Sequence, residues 1–187
     1  MGMYYRIETD IDLEEGPGLD DEVWNLKRFP GELSYFFDQI GGYEHCSEVS
    51  QVSKILNIDL SLFQSYDFDE NPESEKMWQT VESVTNKLIE FENAIRQEPE
   101  YYKLVKHRPE GADREEDWTD VNKLFESIQN TISTSDDWDD KEVKEKYCPQ
   151  DDGYLSSGRL LQDVQTFRQN LDKLTDMGVK KIKLHYG

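Results

Sequence analysis

Two short stretches concentrate the groups most able to do chemistry. "TSDDWDDKE" (134–142) sets Trp138 among Asp136, Asp137, Asp139 and Asp140, and "REEDWTD" (114–120) sets Trp118 behind Glu115, Glu116 and Asp117. Carboxylates at this density suit a hard cation, a basic protein partner, or the start of a helix whose tryptophan packs inward. Trp118 directly precedes Thr119, which with Asp117 is a candidate cap for "DVNKLFESIQNTI". Acidic residues favour the positive end of the helix dipole there, and the indole can staple the first turn. Trp138 lacks that context, because its segment shows neither helical nor strand periodicity. A tryptophan ringed by aspartates has the composition of a hot spot aimed at Lys or Arg; the alternative is a loop tryptophan folded back onto the core.

The metal readings are weak. An EF-hand loop needs oxygen ligands at positions 1, 3 and 5, Gly at 6 and Glu at 12. Counting from Asp10 puts Glu15 at position 6, counting from Asp67 puts Pro72 there, and counting from Asp136 puts Trp138 at position 3. Zinc or a Cys–His nucleophile pair would draw on His45, Cys46, His107, Cys148 and His185, whose spacing matches no known signature. "GPG" and "GG" are turn signals, not phosphate loops. "DGYLSSGR" resembles an anion-binding helix start, with Ser156, Ser157, Gly158 and Arg159 available, though a solvated N-cap is the favoured explanation. Paired carboxylates are so numerous that none stands out as a general acid and base. No catalytic residue, cofactor or metal is therefore assigned.

Charge dominates the composition. The 187 residues carry 41 acidic and 21 basic side chains, a net charge of −20. Residues 155–187 hold a local +3, so the first 154 carry −23. Such a field repels nucleic acid and anionic membrane and draws in basic proteins. Hydrophobic residues at 35 % and aromatics at 12 % supply enough apolar surface for one folded domain of this length. "MGMYYRIETD" has neither signal-peptide regions nor a myristoylation motif, since Arg6 stands where Ser or Thr is required. A cytoplasmic protein with reduced thiols is expected.

The elements that must position these groups follow from hydrophobic spacing. "MYYRIETDIDL" (3–13) alternates as a strand with one wet face, and "VKKIKLHY" near the other end reads as a second strand after a Gly178 stop. "EVWNLKRF" is undecided between strand and helical turn. "PGELSYFFDQIGG" predicts a short helix, Ser47 caps another, and "IDLSLFQSYDF" is assigned to a helix. The clearest helices are 72–97, with Met77, Val81, Val84, Leu88, Phe91 and Ile95 on one face, and roughly 156–177, with Leu160, Val164, Phe167, Leu171 and Leu174. The chain reads as α+β: a helix-rich single domain spanning 1–187, with a small sheet formed from the N- and C-terminal strands.

In size, charge, the "MYYRIETD" opening strand and the lack of a signal, the chain resembles the small acidic immunity proteins that bacteria make against polymorphic or contact-dependent toxins. The resemblance implies stoichiometric inhibition of a basic, nuclease-like toxin, with no direct nucleic-acid or membrane binding. Trp138, Trp118 and their flanking carboxylates would form the contact surface. A nucleic-acid mimic acting on a DNA-processing defence enzyme is the alternative. A metal-dependent enzyme with an acidic active site is a second.

Overall fold

The two ends of the chain meet in an antiparallel pair. In the computed structural model, which describes residues 5–13, 20–38, 47–64, 74–108 and 148–186, β1 (Tyr5–Thr9) lies against β3 (Lys181–Tyr186). Their register runs from Tyr5 opposite Tyr186 to Thr9 opposite Ile182. Alternation does the sorting: Ile7, Ile182 and Leu184 point to one face and are buried there. β1's outer edge is covered by the turn after the first helix, where the Ile7 N–H donates to the Lys27 carbonyl at 2.7 Å and Arg6 bridges Arg28.

A third strand, β2 (Gln79–Thr80), pairs with the other side of β3, giving the order β1–β3–β2. This corrects the expected helix over 72–97. Residues Ser74–Met77 form a 3₁₀ turn, β2 follows, and α4 spans only Val81–Gln97. Thr80 explains the boundary: its Oγ1 accepts the Ser83 N–H at 3.1 Å, which caps the helix and leaves the preceding backbone extended. Val81, Val84, Leu88, Phe91 and Ile95 are buried as their spacing predicts, whereas Met77 lies outside the helix and Ile89 is exposed.

The other helices among the described residues are α1 (Asp20–Leu26), α2 (Leu33–Asp38), α3 (Glu48–Ile55) and α5 (Arg159–Asp176). The undecided "EVWNLKRF" is thus helix α1 followed by the bridge at Arg28. Ser47 caps α3 as expected, accepting from the Ser50 N–H. The segment assigned to a helix after α3 supplies one 3₁₀ turn, Ser61–Gln64; beyond it, residues 65–73 lie outside the described set. So do Gly41 and Gly42, the proposed stop of α2, and the helix expected after Thr119.

α4 and α5 make the main helix–helix contact, and their apolar faces join the sheet's inner face in one core. Aromatic rings from α2 fill the remaining space: Phe37 stacks on Phe63 at 4.5 Å, and Phe36 lies near Phe91 and Tyr154. Across the α4–α5 contact, Glu92 accepts from Gln165 at 3.0 Å with Arg168 at 3.3 Å, and within α4 it accepts from Arg96 at 2.9 Å. The architecture is α+β and helix-rich, with the terminal strands in its sheet. No described helix is long and apolar enough to cross a membrane.

Candidate functional site

The nine residues singled out as a contact surface, Glu115, Glu116, Asp117, Trp118, Asp136, Asp137, Trp138, Asp139 and Asp140, all lie outside the described residues. The described residues that precede and follow that segment in sequence are placed. The Arg108 N–H donates to the Pro149 carbonyl at 2.9 Å, which joins the described residues on either side of 109–147. That junction is built up on both sides. Gln51 of α3 accepts from the Lys106 N–H at 2.7 Å and donates to the Lys106 carbonyl at 3.0 Å. His107 Nε2 lies 2.8 Å from Glu48 Oε1. On the Pro149 side Cys148 is buried, and the Asp151 and Asp152 carboxylates accept from the Gly153 and Tyr154 amides at 2.8 Å each.

The stretch after these turns is not an open anion site. Gly158, with φ +78, precedes α5 and provides no side-chain cap. Ser157 Oγ donates to the Tyr154 carbonyl, and Arg159 pairs with Glu32 at 2.7 Å.

A second candidate surface runs along β1. A groove of about 850 Å³ is lined by Arg6, Glu8, Asp10, Asp12, Trp24, Lys27, Arg28 and Trp78, a volume within the range that holds small ligands or a few side chains. Trp24 is 51 % exposed, large for an indole, and the Arg28 guanidinium stands 6.0 Å from its ring centroid. Asp10 is held in place at the groove wall. Slight burial opposes its ionisation, but hydrogen bonds from the Lys180 and Lys181 backbone keep its carboxyl below the usual range. The groove thus offers an aromatic surface and charges of both signs, the means of gripping polypeptide side chains.

Beside it, on the sheet face that carries Arg6 and Glu8, two polar side chains of β3 are buried. Lys183 is 7 % exposed and His185 4 %. Lys183 Nζ lies 2.9 Å from Glu8, donates to Ser74 Oγ at 2.8 Å and sits 5.3 Å from the Trp78 ring centroid. His185 Nδ1 is 3.3 Å from the same Glu8. A lysine beside a serine invites a nucleophile–base reading. This ammonium, however, rests between a carboxylate and an indole face, the surroundings of a stored cation. Period-2 alternation put Glu8 on the wet face of the first strand; the opposed signs of Glu8 and Lys183 on the paired terminal strands were the available signal.

Among the described residues no group of three or more His, Cys, Asp or Glu is arranged to hold a metal ion. His107 and His185, drawn into the zinc reading, pair with the carboxylates of Glu48 and Glu8 respectively. Comparison with protein-family models, with curated proteins and with solved structures gives no match to this chain.

Proposed function

We propose that the protein acts by stoichiometric binding of a basic protein, as an immunity protein does toward a nuclease-like toxin. The observation that carries this reading is the distribution of charge along the chain. Residues 109–147 hold thirteen Asp or Glu, five Lys or Arg and two tryptophans, and a hydrogen bond joins Arg108 to Pro149 on either side of them in sequence. So strong an excess of carboxylates beside two tryptophans has the composition of a surface that binds a basic partner. The anionic field steers a cationic partner, the carboxylates pair with its Lys and Arg, and Trp118 and Trp138 supply the large apolar contacts that dominate interface energies.

The test is capture by the tagged protein from a lysate of the cells that make it, washed at low and at high salt. One basic protein held in equal amount and released by salt supports the reading. Nucleic-acid enzymes in its place would redirect it to mimicry of nucleic acid. An empty capture, repeated with the purified product of the adjacent gene, would count against a binding role.

A further inference from the structure

The segment after α4 is fastened to α3 by polar side chains as much as by apolar packing. Gln51 brackets Lys106 with two hydrogen bonds, and one residue on, the His107–Glu48 pair has side chains only 15 % and 16 % exposed. The carboxylates of Asp151 and Asp152 bear on the same imidazole from the Pro149 side, Tyr101 lies near Glu48, and Lys106 and Arg108 flank the histidine in sequence. We propose that this cluster is a proton-operated clasp, in which the His107 imidazolium holds residues 105–108 against α3 and its loss loosens them as pH rises.

The chemistry follows from the charges. Protonated, His107 gives three carboxylates a cation, one of them at hydrogen-bond distance. Neutral, the ring can still donate one N–H to Glu48, but the three negative charges then converge without that cation. The Glu48 hydrogen bond raises the His107 pKa above its ordinary 6.5; desolvation opposes this, and the charges of Glu48, Asp151 and Asp152 add to it. A raised folded-state pKa means the stabilisation is fully present below 6.5 and is lost as pH rises through the folded value. The Gln51 bonds carry no titrating group, so the segment loosens without detaching. The clasp does not depend on what the acidic segment binds.

Amide hydrogen exchange of Lys106 and Arg108 reads the clasp directly, because their N–H groups bond to Gln51 and Pro149. It would be followed in the intact protein from about pH 5.5 to about pH 8.5, corrected for intrinsic exchange, beside the His107 ring titration by NMR. Corrected protection should fall severalfold as His107 deprotonates, while the Val81 amide, bonded to Lys180, stays constant. E48Q should return the His107 titration toward its ordinary value and flatten the profile. H107Q, which keeps a neutral hydrogen-bonding side chain, should be flat at the lower protection and serves if E48Q does not fold. Wild-type protection that does not change with pH, or H107Q that keeps the wild-type profile, would overturn the clasp.

Discussion

The Asp163 carboxylate on α5 occupies the space that a side chain at Gly31 would need. A Cβ at Gly31 would lie 2.7 Å from Asp163 Cγ and closer still to its oxygens, and Gly31 sits at φ +51. The same carboxylate accepts from the Glu32 N–H at 3.1 Å and the Tyr154 hydroxyl at 2.9 Å. One side chain thus joins the turn before α2, the loop before α5 and α5 itself.

G31A is expected to cost about 2–3 kcal/mol, from the left-handed backbone and the displaced carboxylate together. Urea unfolding at neutral pH measures it as a lower midpoint with unchanged slope. D163A removes the clash, so the double variant should lose less than the sum of the two single losses. Strict additivity would show that the contact does not govern the substitution.

Tyr154 tests the same junction from the other side. Burial, followed by the Asp163 charge and hydrogen bond, pushes its phenol well above the ordinary range, so it stays protonated and donates. Y154F keeps the ring against Phe36 and loses only that bond. A loss of about 1 kcal/mol is expected in urea unfolding, held to that size because the same Asp163 oxygen keeps the Glu32 N–H as a donor.

Glu92 should govern part of the acid sensitivity. Burial opposes its ionisation, but hydrogen bonds from Arg96 and Gln165 and the charges of Arg168 and Arg96 hold its carboxyl below the ordinary 4.5. A depressed folded-state pKa contributes stability present above 4.5 and lost as pH falls through the folded value. E92Q should lower stability at neutral pH by about 1–2 kcal/mol and flatten the fall in stability below about pH 4.5. Parallel pH profiles for the two proteins would assign the acid sensitivity elsewhere.

The Lys183–Glu8 pair makes an asymmetric prediction. Removing Glu8 leaves an ammonium in a site only 7 % exposed, whereas K183M replaces it with an apolar chain of similar length. E8A should therefore cost more than K183M, by about 1–2 kcal/mol after allowing for the partial exposure of Glu8. The E8A/K183M double variant should recover part of the E8A loss in thermal or urea unfolding. A double variant whose loss is the sum of the two single losses would mean that the pair is not coupled.

Spacing made much of this fold legible. Five apolar positions on α5 and five on α4 fall where a 3.6-residue period puts them, and the terminal strands pair as alternation suggests. β2 was hidden because two residues carry no period, and "MWQTV" extends the apolar stepping of α4 backwards past its cap at Thr80. The contact between Gly31 and Asp163 joins residues more than a hundred positions apart, which no local pattern encodes. Lys183 and His185 alternate with the apolar Ile182 and Leu184, so their spacing does not announce that they are buried too. The acidic tryptophan clusters are legible as composition alone and lie outside the described residues.

The most direct test of the binding account compares the tagged wild type with a variant carrying D136K, D137K, D139K and D140K, in parallel captures from the same lysate. The account predicts one basic protein at equal stoichiometry on the wild type, lost at high salt and absent from the variant, while both proteins keep the same unfolding midpoint. Undiminished capture by the folded variant would contradict it.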